Sequence, residues 1–177
     1  MPKLLINDTL YLRALEPEDL EVLYKWENDT DVWKFGSAIS PYSKFALRQY
    51  IEDAQTDIFH SKQLRFMIVL HERETTVGTI DLYDFDALNS RCGVGIYIDP
   101  ACRKNRYALQ ALNLLINYAF HFLKINQLYA VIPESNISSI KLFQSTGFSQ
   151  SGVLQEWVSY DNEFENAIIV QKLKSDQ

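Results

Sequence analysis

The sequence predicts one α+β domain over residues 1–177, with a central mixed, mostly antiparallel sheet flanked by helices. Three observations point there. At 177 residues and 47% hydrophobic content, the chain can bury one self-sufficient core and is too apolar to remain disordered. Its apolar residues switch several times between a period of two and a period near 3.6, the signatures of strands and helices. No repeat, low-complexity tract or Pro/Gly-rich linker divides it.

Taken in order, Leu4, Ile6, Leu10, Leu12 and Ala14 share one parity, predicting a strand over residues 3–15 with a turn at Asn7-Asp8. Pro17-Glu18-Asp19 then opens a helix, because proline and acids suit the exposed amides of a first turn. Leu20, Leu23, Tyr24 and Glu27 trace its face. A second helix follows Ser43, with Ala46, Leu47, Tyr50, Ile51 and Ala54 at helical spacing. Between the two, residues 29–42 are aromatic and irregular, broken at Gly36 and Pro41, and serve as a ligand-lining loop or a packed connector.

Residues 64–70, 77–85 and 93–98 read as three strands joined by turns at 71–75 and 86–91, an antiparallel meander. After Asp99-Pro100 the period changes: Ala108, Ala111, Leu112, Leu115, Ala119, Phe120 and Leu123 predict a long amphipathic helix. A strand over 128–132, a helix over 136–145 and a break at Gly147 follow. Two last strands, 152–160 and 164–173, meet as a hairpin at Asp161-Asn162.

Composition excludes several functions. With 17 Lys plus Arg against 23 Asp plus Glu, the net charge of −6 disfavours a phosphate backbone and favours a cationic partner. Cys92 and Cys102 form no C-x-x-C pair, which suits reduced thiols in a cytoplasmic protein. The amino terminus does not read as a signal peptide. Asn113, Asn117 and His121 interrupt the most apolar stretch, residues 112–123, which falls short of the ~20 residues of a spanning helix. His60, His71 and His121 lack metal-ligand spacing, so no metal is expected. Phosphate-loop, serine-hydrolase and zinc-protease signatures are absent.

One junction carries chemistry. The strand Val94-Gly95-Ile96-Tyr97-Ile98 runs through Asp99-Pro100 into Arg103-Lys104-Asn105-Arg106-Tyr107-Ala108, where the long helix starts. The unpaired amides and positive pole of a helix amino terminus hold anions. Three basic side chains at that end oppose the dipole unless an anion is present. In the strand Thr79-Ile80-Asp81-Leu82-Tyr83-Asp84-Phe85-Asp86, alternation puts Asp81 and Tyr83 on one face and Asp84 and Asp86 on the other. Asp81 lies mid-strand among apolar residues: either a buried carboxylate with a purpose or an exposed one at the sheet rim.

The segment Ile98 to Leu112 resembles the coenzyme A loop of the GNAT N-acetyltransferases, and Asn136 to Phe148 resembles that family's second conserved block. With Leu12 to Leu20 near the start, the likeness covers nearly the whole chain, and its proportions are most similar to the branch of spermidine and ribosomal-protein amino-terminal acetyltransferases. The resemblance implies that Ile96, Tyr97 and Ile98 present backbone partners to pantetheine, with one amide polarising the thioester carbonyl. It implies that the loop Arg103, Lys104, Asn105, Arg106, Tyr107 and Ala108 holds the pyrophosphate. Arg106 stands where the family places glycine, so its guanidinium joins the phosphate or cofactor affinity falls. Asn136 matches a residue contacting the pantetheine arm, alongside its own capacity to cap a helix with Ser139 nearby. Phe143 stands where many relatives have a tyrosine acid; water, Tyr107, Tyr129 or a substrate group would then replace it. Asp81 matches an acid that meets cationic substrate, binding an ammonium or taking its proton through water.

The implied function is acetyl transfer from acetyl-CoA to a primary amine, best a polyamine such as spermidine. Protein amino termini and amino sugars are the alternatives, and a coenzyme A-binding module with little turnover is a rival of another class. Trp26, Trp33 and Trp157 are expected in the core or pocket wall, Trp33 with Phe35 shaping the acceptor site. Trp157, Val158 and Tyr160 offer surface for a homo-oligomer.

Overall fold

A computed structural model describes residues 3–33, 40–160 and 162–176. Seven strands form one sheet in the order β1-β2-β3-β4-β5-β7-β6. They span β1 (Leu10–Arg13), β2 (Leu64–Leu70), β3 (Thr75–Asp86), β4 (Arg91–Ile98), β5 (Gln127–Pro133), β6 (Ser149–Tyr160) and β7 (Glu163–Leu173). Every pairing is antiparallel except β4 with β5. The helices are α1 (Leu20–Glu27), α2 (Thr30–Trp33), α3 (Lys44–Asp53), α4 (Ile58–Ser61), α5 (Tyr107–Asn117) and α6 (Ile137–Ser145).

The first strand is shorter than its parity predicts. The Asn7 side chain accepts from the Thr9 and Leu10 amides at 2.8 and 2.9 Å, a turn that folds Ile6 back against Tyr11 and leaves residues 3–5 as a single 3-10 turn. Pro17 to Asp19 likewise form a 3-10 turn, closed by Asp19 accepting from the Glu16 amide and held by Arg13 at 2.7 Å. The predicted long helix ends in a widened turn over Tyr118–Phe122, where the Leu123 amide reaches back to the Tyr118 carbonyl.

Both faces of the sheet are covered. On one, Leu10, Leu12, Ile68, Ile80, Leu82 and Leu128 pack with Leu112, Leu115 and Phe120 in a continuous apolar core. On the other, Tyr11, Met67 and Val69 meet Leu20, Leu23, Trp26, Leu47 and Ile51 from α1 and α3. Alternation in β3 stops at Asp84, which is the extra residue of a bulge with φ +49°. Past the bulge Asp86 pairs with Arg91, two residues before Gly93, so the expected separation of Asp86 from the face of Asp81 and Tyr83 is corrected. Exposed Asp84 acts electrostatically on both Tyr83 and Tyr129. No helix among the described residues is long and apolar enough to cross a membrane.

Candidate active site

The parallel pair at the centre of the sheet is incomplete. β4 and β5 pair only at Arg91–Gln127, Cys92–Leu128 and Gly93–Tyr129. Beyond Gly93, β4 stays on β3 as far as Ile98, and β5 stays on β7 as far as Pro133. The strands thus diverge into a wedge whose walls are backbone edges, and Gly95, Ile96, Tyr97 and Ile98 along it are half-buried. Unpaired backbone donors and acceptors at such an edge need partners, and an extended amide-bearing ligand can supply them.

At the end of the β4 wall, the loop before α5 is open and basic. Arg103, Lys104, Asn105 and Arg106 are exposed, while Tyr107 and Ala108 are half-buried. Arg103 Nε donates to the Ile98 carbonyl at 3.1 Å, and Asn105 Nδ2 donates to the Cys102 and Arg103 carbonyls, bracing the turn from within. Lys104 and Arg106 take left-handed conformations, φ +67° and +60°. The Gln110 amide bonds the Arg106 carbonyl, so the amides of the α5 first turn are left free of helical partners. The set fits an anionic phosphate group.

The opposite wall of chemistry lies on the α1–α3 side. Arg65, Asp81 and Gly95 are successive neighbours across β2, β3 and β4. Asp81 is 8% exposed, so it is a buried carboxylate and not one at the rim. Arg65 NH2 meets Asp81 Oδ2 at 2.7 Å, Nε lies 3.0 Å from both oxygens, and Gln63 Nε2 adds a contact to Oδ2 at 3.3 Å. Arg65 NH1 also binds Glu27 at 2.7 Å, and its guanidinium stands over the Tyr50 ring. Burial opposes the Arg65 charge, but Asp81, Tyr50 and Glu27 outweigh it and hold the guanidinium above its ordinary range. Oδ1 of Asp81, with Arg65 Nε as its one donor among the described residues, keeps acceptor capacity.

Tyr97 and Tyr83 flank this row. The Tyr97 hydroxyl is buried with no hydrogen-bond partner among the described residues. Burial and then the carboxylates of Asp99, Asp29 and Glu27 push its ionisation up to about 12. Trp26, 5.4 Å from Tyr97 ring to ring, donates to Asp99 at 2.8 Å and so ties α1 to the basic loop. Tyr83 lies on Gly93, where an added Cβ would come 2.3 Å from the ring. A cavity of about 450 Å³ opens behind Arg65, between Tyr50, Asp53 and Gln63, and none of its lining residues belongs to β4.

Residues 9–149 match the family described as acetyltransferase (GNAT) domain. The chain belongs to the GNAT acetyltransferases. It is 29% identical over 154 residues to an N-acetyltransferase p20 of Bacillus licheniformis, covering 86% of each protein. It is 26% identical over 157 residues to spermidine N(1)-acetyltransferase of Escherichia coli K12, covering 89% of this chain and 82% of that one. Its fold matches spermidine N-acetyltransferase from Vibrio cholerae, in complex with CoA and spermine, with a TM-score of 0.87 at 22% identity over 96% of this chain and 98% of that one.

In this acetyltransferase the remaining residues singled out from sequence fall as follows. Phe143 is 2% exposed and packed edge-on against Phe148, sealed in the core with no proton to give. Asn136 caps α6, its side chain accepting from the Ser139 amide at 3.2 Å and from Ser138 Oγ at 3.1 Å. Tyr107 packs its ring on the apolar core, while Tyr129 sits edge-on to Tyr83. Trp33 is tethered by its indole to the Glu27 carbonyl; Phe35 lies outside the described residues. Trp157 is corrected from wall to surface, at 61% exposure, because it faces outward on the terminal hairpin. His71 bonds the Asn7 carbonyl, a structural role.

Sequence reasoning missed Arg65, Glu27 as its partner, and the side chains of Tyr83 and Tyr97. A signal for the first existed. A lone arginine in the apolar strand Leu64–Leu70 stands opposite Asp81 in the next strand of the same hairpin.

Proposed function

We propose that this acetyltransferase moves the acetyl group of acetyl-CoA to a primary amine, and that its acceptor is a polyamine of the spermidine class. The observation that carries the reading is the wedge between β4 and β5 ending in a basic, anion-ready loop. Pantetheine would lie along Ile96, Tyr97 and Ile98, with Asn136 at the far side. Arg103, Lys104, Asn105, Arg106 and the amides of Tyr107 and Ala108 would take the pyrophosphate. A backbone amide on the β4 wall would polarise the thioester carbonyl, a contribution of about 3 kcal/mol where such donors have been removed.

For the acceptor, Asp81 receives an ammonium hydrogen bond on Oδ1 from the space left by Gly95. It acts as a hydrogen-bond acceptor and not as the proton's destination, since Arg65 and Gln63 already hold its other lone pairs. The carboxylates of Asp99, Asp29 and Glu27 around Tyr97, together with the net charge of −6, favour an extended polycation. The names of the E. coli and V. cholerae relatives agree with this choice. Two further parts of the reading are a cytoplasmic location and a homo-oligomer using the hairpin that exposes Trp157.

Coenzyme A release on a panel of spermidine, spermine, amino-terminal peptides and amino sugars tests the reading. Release is expected with the polyamines, and Asp81→Asn is expected to lower kcat/KM for the best amine at least tenfold. Preference for peptides or sugars sinks the polyamine assignment, and an unchanged Asp81→Asn enzyme sinks the role of that residue. Coenzyme A binding without release on any amine would make the protein a binding module.

A further inference from the structure

We propose that Tyr83 is the acid of the reaction, the group that protonates the coenzyme A sulfur as it leaves; this rests on the acetyl-transfer reading above. The case is geometric. Tyr83 pairs with Gly93, the last β4 residue still joined to β5. Its ring lies over that glycine, with atoms 2.3, 2.4 and 2.8 Å from where a Cβ would stand, and its other edge is 3.8 Å from where a Cβ on Gly95 would stand. A side chain at position 93 would displace it, so the ring and the glycine define one another. The hydroxyl faces the backbone amide of Val131, two residues past the last β4–β5 pair. Tyr83 therefore spans the apex of the wedge, where an extended arm threaded between the strands must end.

The state of the hydroxyl suits the task. Burial first, then Tyr129 and the carboxylates of Asp84 and Asp81, push Tyr83 up to about 12, with the Val131 amide pulling the other way. It stays protonated at neutral pH. Two other phenols are less well placed: Tyr107 starts α5 with its ring on the core, and Tyr97 stands at the far end of the β4 wall. Phe143 has no hydroxyl at all.

The step balances. The ammonium first gives its proton to solvent; the neutral amine nitrogen then forms a bond to the thioester carbonyl carbon, and the carbon–sulfur bond breaks with its electron pair leaving on sulfur. Sulfur takes the Tyr83 proton. The proton released by the new amide nitrogen passes through solvent and restores the phenol. Asp81, beside Gly95, holds the amine on the same side of β4 as Tyr83.

Tyr83→Phe keeps the ring on Gly93 and removes only the proton. Its kcat for the best amine is expected to fall about a hundredfold, within the ordinary range for one acid–base group. The acetyl-CoA dissociation constant by calorimetry and the amine KM should stay within twofold. As a second variant, a fluorinated tyrosine at position 83, whose phenol ionises at lower pH, should bring an alkaline loss of kcat into a range where the wild type shows none. A Tyr83→Phe enzyme with kcat within threefold of wild type, or a fluorotyrosine enzyme with an unshifted profile, overturns the assignment while leaving acetyl transfer standing. A loss of acetyl-CoA affinity parallel to the loss of kcat makes Tyr83 a wall of the site and overturns it too. A wild type that releases no coenzyme A on any amine overturns both readings.

Discussion

The two faces of the sheet are built from the same strands and do different work. Towards α5, the strands present Leu10, Leu12, Ile68, Ile80, Leu82 and Leu128, with Lys172 buried opposite Leu128 as the charged residue of that face. Towards α1 and α3, the same strands present Arg65, Asp81, Thr79, Tyr83 and Tyr97. Alternation makes this possible, since each strand can give one parity to packing and the other to chemistry. The first face needs volume and shape; the second needs each polar atom matched, because an unmatched buried charge costs far more than a missing methyl group. Function can therefore concentrate on one face without weakening the other.

Breaking the charged face tests this most severely. Arg65→Ala leaves Asp81 and Glu27 facing each other without their shared cation, and should destabilise the fold by about 3–5 kcal/mol, read by chemical denaturation. Adding Asp81→Asn should recover part of the loss, because one of the stranded charges is then removed. Should Arg65→Ala cost less than a surface substitution, the guanidinium is dispensable and the face is less tightly matched than its distances indicate.

Next in size is a cut in the apolar face. Leu115→Ala, at a position with no exposure, should cost about 3 kcal/mol through lost burial and the cavity left behind. The enzyme that remains folded should keep its kcat/KM and its choice of amine. A change in amine preference would show that the two faces are coupled through the sheet, and would replace the division of labour with a single cooperative unit.

Much of the apolar face was legible in the sequence, because it is written in periods. The repeat from Ala108 to Phe120 is visible as a helix stripe, and the meander strands are visible as apolar runs between polar turns. The short helices α2 and α4 were not legible: four residues give no period, and α4 exists because Asp57 caps the amides of Phe59 and His60. The charged face was half legible. Asp81 stands out as an acid in an apolar strand, and parity puts Tyr83 beside it. Which atoms it meets depends on register across a hairpin, and the bulge at Asp84 shows how one extra residue overturns a parity argument. The wedge is invisible to periodicity, since both strands continue normally and only their mutual pairing stops.

The smallest expected effect lies where the two faces meet, in the loop that leaves β4 for α5. Arg106 holds φ +60°, a conformation glycine adopts freely and a side chain adopts at a cost of about 1 kcal/mol. The loop thus already has the backbone path that a glycine would give it, and what the arginine adds is its exposed guanidinium. If that group binds phosphate, Arg106→Gly should weaken acetyl-CoA about tenfold, near 1.4 kcal/mol. The affinity should also lose part of its dependence on salt, because one charged contact has gone. Thermal stability should not fall with it, since the strain at position 106 is relieved as the side chain is removed. Calorimetry at two ionic strengths separates the alternatives. Weaker binding with a reduced salt dependence assigns the guanidinium to the phosphate. Binding that is unchanged or tighter means the backbone amides hold the anion alone, and the strain at Arg106 then has no return in affinity.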